Sequence, residues 1–253
     1  MLEELIIIVI IIAFIMEFID AFAGMGFGIV TPILLLLGYL PHNVVFAVLV
    51  NSAVLSISAG IFHHSFKNVD FSFKSQHFKI SAVLLGFGIL GIFLGVLSAI
   101  EMSDHILQIY IGAIFLLVGI ILLMHYKKKH EFSWKKLIAI GMFASFNKGV
   151  TAGGFGPILT GGQVISGVES RQAVGISSIV EGFVSLFGVV FYLIIVGTKY
   201  LNPPLTISLM LGGLLATPLA AYAVKKTHPR NLKMLMGIAC IVLGIIMVLK
   251  IAF

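Results

Sequence analysis

Ten apolar segments fill this 253-residue chain and leave almost no polar sequence between them. Their limits fall at 2–22, 26–40, 43–62, 78–100, 106–125, 137–150, 153–167, 172–196, 204–224 and 232–252. Inside a bilayer the backbone N–H and C=O groups find no water, so such a chain must satisfy them within helices. A helical span needs about 20 apolar residues. Segments 43–62, 78–100, 106–125, 172–196, 204–224 and 232–252 reach that length. The longest polar gaps, 63–77 and 126–136, cannot hold a soluble domain, and no Walker P-loop is present. Composition agrees: 60% of residues are hydrophobic, 10% are charged, and the mean hydropathy is +1.16. A soluble domain carries about 25% charged residues. The fold class is therefore an all-α polytopic membrane protein, with no nucleic-acid partner and the lipid bilayer as its surroundings.

The other four segments form two pairs, each interrupted by glycines. The first pair reads Phe18-Ile-Asp20-Ala-Phe-Ala-Gly24-Met-Gly26-Phe-Gly28 and continues through Thr31-Pro32. The second reads Phe146-Asn147-Lys148-Gly-Val-Thr151-Ala-Gly153-Gly154-Phe155-Gly156-Pro157. At an offset of 128 they superpose, with Gly26-Phe27-Gly28 on Gly154-Phe155-Gly156 and Asp20 on Lys148. This internal repeat predicts two units, 1–125 and 137–253, joined by a basic linker at 126–136 that carries Trp134 as an interfacial anchor. Each unit is a Gly-rich broken-helix hairpin (2–40 and 137–167) followed by three long spans. Five segments per unit is an odd number, so the two repeats have inverted topology. In that arrangement thirteen of the 16 Lys and Arg residues lie on one side and two on the other, with Lys148 in a hairpin. Basic residues gather in cytoplasmic loops, which places both termini outside. Ala21-Phe22-Ala23 imitates a signal-peptide cleavage site, but Glu3-Glu4 is not a basic leader and the segment has a repeat partner, so no cleavage is expected.

Ionisable groups at membrane depth are costly and mark function by default. Here they are Glu17, Asp20, Lys148 and Glu181, joined by the amides Asn51 and Asn147. Lys148 is either a cationic anchor for an anionic substrate or the partner of Asp20 in an ion pair joining the two hairpin tips. The breaks at Gly24, Gly26, Gly28 and at Gly153, Gly154, Gly156 precede short helices whose first N–H groups lack intrahelical partners. Helix N-termini favour negative charge, so the two breaks predict an anion site; the competing reading is close packing of small residues. Thr31 and Thr151 add hydroxyls, and Asn51 and Asn147 shape the site. Glu17, Asp20 and Glu181 are the proton-coupling candidates, with a structurally paired acid as the other reading for Glu181. Gly86, Gly88, Gly91 and Gly95 read as packing glycines. Histidines 63, 64, 77, 125, 130 and 228 read as interfacial or solvated, with no metal site, and Cys240 as a core or lipid-facing residue. No cofactor is expected, and no enzyme motif is present. A homodimer is compatible with the sequence.

These residues resemble the sulfite exporter TauE/SafE family of membrane transporters. The resemblance rests on Asp20 to Gly28 with Thr31-Pro32, and on His42-Asn-Val-Val-Phe-Ala47 leading to Asn51-Ser52. It recurs in Gly149-Val-Thr-Ala-Gly153-Gly154-Phe-Gly156-Pro157 and in Arg171-Gln-Ala-Val-Gly175, and so covers the whole chain. It implies secondary transport of small sulfur-containing or carboxylated anions, often outward, across the plasma membrane of a prokaryote. Sulfite and organosulfonates are the expected substrates, moved by alternating access with protons as a candidate coupling ion. Met25 stands where such proteins often have glycine, so the two breaks are unequal. Two further readings stay beside this one: a proton-linked cation or metal carrier built on Glu17, Asp20 and Glu181, and a non-transporting membrane scaffold subunit.

Overall fold

Long apolar runs, some opened by a residue that starts a helix, fix the elements. The computed structural model of the protein describes residues 2–124, 132–226, 238, 241–246 and 249. Their helices are α1 (Leu2–Ala23), α2 (Val30–Leu36), α3 (Pro41–Ser65), α4 (Gln76–Glu101), α5 (Asp104–Met124), α6 (Trp134–Thr151), α7 (Phe155–Ile165), α8 (Ser170–Val196) and α9 (Pro203–Lys226). A 3₁₀ turn over Phe27–Ile29 precedes α2, and no strand occurs among the described residues. Pro41 opens α3 at a position where its missing N–H costs nothing. Ser75 caps α4, its Oγ accepting the Phe78 N–H at 3.0 Å. Five described helices are long and apolar enough to cross a membrane: α1 from Ile6, and α3, α4, α8 and α9. The protein is an all-helical multi-pass membrane protein.

The two halves of the chain interleave. The most extensive contacts run α4 with α6, α1 with α9, and α3 with α8, followed by α4 with α8 and α3 with α9. Exchanging the halves turns α1–α9 into α6–α4 and α3–α9 into α8–α4, and leaves α3–α8 unchanged. The α3–α8 crossing is therefore the centre, and α3 is the most enclosed of the five spans. Small residues bring these helices together. A Cβ on Gly60 would stand 3.0 Å from Ile179, and one on Gly182 would stand 2.6 Å from the Ile57 nitrogen.

The expected linker is shorter than 126–136, because α6 begins at Trp134. The Ser133 N–H bonds to the Ser166 carbonyl at 3.2 Å and closes the mouth of the α6–α7 hairpin. Residues 125–131 lie outside the described residues, as do His125, His130, His228, Cys240 and most of the expected span 232–252. Within that span, Gly244 lies against Gly112 and Leu116 of α5.

Gly88, Gly91 and Gly95 pack α4 on α6: added Cβ atoms would meet Ser145 Oγ, the Met142 carbonyl and the Phe146 carbonyl, respectively. Gly86 faces open space. Gly91→Leu should therefore destabilise the protein by about 1–3 kcal/mol through overpacking, whereas Gly86→Leu should leave it unchanged. Thermal unfolding of the two variants in detergent checks this, and equal melting temperatures would refute the α4–α6 contact.

Candidate functional site

Each half stops its first helix at glycines whose backbones adopt conformations that side chains resist. Gly26 has φ +80° and Gly154 has φ +70°, values that cost glycine nothing. In the first break the Asp20 carbonyl accepts the Gly24 N–H at 2.6 Å, and its carboxylate Oδ1 accepts the Gly26 N–H at 2.6 Å. In the second break Thr151 Oγ1 accepts the Gly153 N–H at 2.9 Å and donates to backbone carbonyls of Asn147 and Gly153. Each break thus carries its own polar brace, so Asp20 and Thr151 hold backbone in place.

The two breaks touch. A Cβ on Gly26 would sit 2.8 Å from the Gly156 nitrogen and 3.7 Å from Glu181 Oε1. A Cβ on Gly28 would collide with the Ala152 carbonyl and the Gly153 Cα, and one on Gly156 with the Gly26 nitrogen. Backbone meets backbone here, and only glycine leaves room.

Lys148 lies in the last turn of α6, where the helix dipole favours a cation. It is fully buried. Its Nζ donates to Glu181 Oε1 at 2.6 Å and to Ser52 Oγ at 2.8 Å. Glu181 and Ser52 are themselves buried, on α8 and α3. The lysine therefore joins the end of α6 to both helices of the central crossing. The Glu181 carboxylate lies between this ammonium and the face of Gly26. Glu17, one turn before Asp20 on α1, is fully buried, and neither carboxylate oxygen has a partner among the described residues. It interacts electrostatically with Asp20, Glu181 and Lys148. Four ionisable groups from α1, α6 and α8 thus share one apolar interior at the crossing of the breaks.

A family model described as Sulfite exporter TauE/SafE matches residues 9–247. The chain belongs to that family of membrane transporters. It is similar to the probable membrane transporter protein YtnM of Bacillus subtilis (strain 168), at 30% identity over 232 residues, covering 87% of this chain and 75% of that protein. No solved structure matches it.

In this TauE/SafE chain the expected site residues divide. Gly26, Gly28, Gly153, Gly156, Lys148, Glu181 and Asp20 come together at the breaks. Gly24 lies at their edge, where its carbonyl accepts the Thr160 hydroxyl at 2.6 Å. Gly154 supplies the left-handed turn that starts α7. Thr31 is buried, with no hydroxyl partner among the described residues. Two amides do other work. Asn51 donates to the Ala47 and Thr206 carbonyls, tying α3 to α9. Asn147 accepts the Tyr110 hydroxyl at 2.7 Å and donates to the Phe143 carbonyl, tying α6 to α5. Of the two readings of Lys148, the ion pair with Asp20 is corrected: Lys148 takes Glu181, and Asp20 turns to its own break. His63 is corrected too. It is fully buried, with Nε2 on the Ala21 carbonyl at 2.8 Å and Nδ1 on Asn68 Nδ2 at 3.1 Å.

Ser52 was not among the expected site residues, although its place was readable. It stands eleven residues past Pro41, as Glu181 stands eleven past Ser170. The break-to-break offset is one residue shorter and hides that match. The hydroxyl cluster of Thr160 and Ser177 with Gln163 was missed because it carries no charge.

Removing one member of a buried ion pair strands the other charge and costs about 3–5 kcal/mol, whereas an apolar pair of similar volume is tolerated. Lys148→Ala and Glu181→Ala should each lower the melting temperature in detergent sharply, and Lys148→Met with Glu181→Leu should restore much of it. Single variants as stable as the parent would contradict the pairing.

Proposed function

We propose that this protein is a secondary active transporter that exports small sulfur-containing anions, sulfite or an organosulfonate, by alternating access around Lys148. The observation that carries the reading is the buried Lys148 ammonium with a carboxylate already on it, beside two touching glycine breaks. Glu181 acts as a resident anion. It occupies the place on Lys148 and against Gly26 that a substrate oxyanion takes when it enters. In this packing the glycines touch and leave no space between them; when the repeats move and the breaks part, bare backbone at Gly26, Gly28, Gly153 and Gly156 lets a small tetrahedral or pyramidal anion come close, and the α7 N-terminus favours its charge.

Charge balance supplies the coupling. When substrate replaces Glu181 on Lys148, the displaced carboxylate loses its cation in an apolar interior, a cost of several kcal/mol. A proton on Glu181 removes that cost. Glu17, with two unpartnered oxygens, is the neighbouring acid through which the proton moves, while Asp20 stays on its Gly26 brace. The interchangeable pairing of the halves supports two inverted repeats rocking about the α3–α8 crossing, as in other transporters built from repeats with broken helices. The lysine-rich loops then face the cytoplasm of a prokaryotic cell, with both termini outside.

Thermal stabilisation of the purified protein by an anion panel tests this reading, because a ligand of the native state raises stability by mass action. One sulfur anion should stabilise the parent protein selectively and Lys148→Ala not at all. Glu181→Gln, which keeps the shape of the side chain without the competing charge, should bind an organosulfonate more tightly than the parent protein. Stabilisation that ignores both Lys148 and Glu181 would sink the proposal.

A further inference from the structure

Away from the ionisable cluster, the described helices leave a cleft of a different chemistry. It lies between α3, α4 and α8, holds about 480 Å³, and is walled by Ile61, Phe71, Phe78, Leu85, Ile179 and Phe183. The two polar residues at its edge, His64 and Ser81, are already engaged with backbone: His64 Nδ1 accepts the Phe71 N–H at 3.3 Å, and the Ser81 hydroxyl donates to the His77 carbonyl at 2.9 Å. Its wall therefore offers hydrocarbon and rings. Ile61 and Phe183 are exposed, so it opens on the outer face of spans that a bilayer surrounds.

The segment that borders this cleft is patterned. Between the end of α3 and the start of α4 the chain places three Phe-Lys pairs: Phe66-Lys67, Phe73-Lys74 and Phe78-Lys79. All three lysines are exposed. Phe73 is 84% exposed and meets the Phe78 ring edge-on at 4.9 Å. Asp70 is the only acid from 63 to 79. Its carboxylate is turned onto the Ser72 N–H and hydroxyl, both at 2.9 Å, which hold it below the usual carboxylate range. The segment is also fixed in place. Buried Asn68 donates to the Ala221 carbonyl at 3.0 Å, and Val69 packs under it against Gly175. An exposed phenylalanine beside lysines, at the end of membrane-spanning helices, suits the headgroup boundary, where the ring meets acyl chain and the ammonium meets water or phosphate.

We propose that this cleft is a binding site for an anionic glycerophospholipid, with one acyl chain along α3, α4 and α8 and the phosphate on the Lys67, Lys74 and Lys79 rim. Charge complementarity selects the occupant: the wall is apolar and the rim is cationic, and basic pockets beside spans hold anionic headgroups. The back wall gives the lipid a consequence. Ile179 and Val180 precede Glu181, and Ile179 is the residue on which Gly60 packs. A chain seated there braces the α3–α8 crossing that brings Ser52 and Glu181 to Lys148.

The test is thermal unfolding of the detergent-purified full chain with added phosphatidylglycerol, phosphatidylcholine of the same acyl chains, or glycerol phosphate alone. Phosphatidylglycerol should raise the melting temperature by about 5 °C or more, and clearly more than the other two. The exposed triple variant Lys67→Gln, Lys74→Gln, Lys79→Gln should lose that preference. Lys225→Gln with Lys226→Gln, at the exposed end of α9, should keep it. Ala82→Leu, at an exposed lining position, should fill the cleft and weaken stabilisation by the phosphatidylglycerol. Equal effects of both lipids, an equal effect of glycerol phosphate, or loss of preference in the Lys225 and Lys226 control would each overturn the site. The readout uses no substrate, so it is independent of the transport reading.

Discussion

One buried ion pair holds the interior of this protein in register. Lys148 ends the first helix of the second half, Glu181 lies in the middle of α8, and Ser52 lies at the matching point of α3. Three helices therefore converge on a single ammonium. In an apolar medium such a pair is weak evidence for net stability, because desolvation offsets most of the Coulombic gain. Its value is conditional. Separating the partners is expensive, so the pair selects one arrangement of α6 against the α3–α8 crossing until another charge replaces one of its members.

The glycine breaks make that pair reachable. Two helices ending at the same depth would normally keep their backbones apart by the width of their side chains. Here Gly26 faces Gly156, and Gly28 faces Ala152 and Gly153, at separations no Cβ permits. The crossing brings the Glu181 carboxylate against Gly26 and leaves short helices starting on either side. Asp20 and Thr151 satisfy the freed N–H groups of Gly26 and Gly153 locally, which is how irregular backbone is tolerated at membrane depth. Of the two readings of the sequence, the structure shows the close packing directly, with backbone against backbone at Gly26, Gly28, Gly153 and Gly156, and anion binding there belongs to the proposed function.

Much of the helical layout was legible because its causes are local. Apolar runs of span length, Pro41 at the start of α3 and glycines at the ends of α1 and α6 need no tertiary information. The four intramembrane ionisable residues were legible for the same reason, since any charge in such a segment stands out. Their partners were not. Asp20 and Lys148 share a repeat position, yet Asp20 reaches six residues along its own chain while Lys148 crosses to α8. Asn51 and Ser52 are neighbours on α3, and a helix turns about 100° per residue. One of them therefore meets α9 and the other Lys148. His63 looked interfacial from its place near a helix end, but the end of α1 and the Asn68 side chain close over it. Direction around a helix axis and closure by distant segments are tertiary facts, and that is where the sequence ran out.

The charge on the cluster limits how it works. With Glu17, Asp20 and Glu181 ionised and Lys148 protonated, two negative charges would lack counterions among the described residues. The Gly26 N–H supports Asp20 with a charge-assisted hydrogen bond, and Lys148 supports Glu181. Glu17 has neither kind of support. On the proposed reading, an entering anion adds a further negative charge to the same interior and takes the Lys148 ammonium. The cluster can accept that charge only if positive charge arrives with it or an existing carboxylate is neutralised. Any substrate that binds at Lys148 is thus tied to the protonation of the surrounding acids by electrostatics alone, whatever the direction of transport.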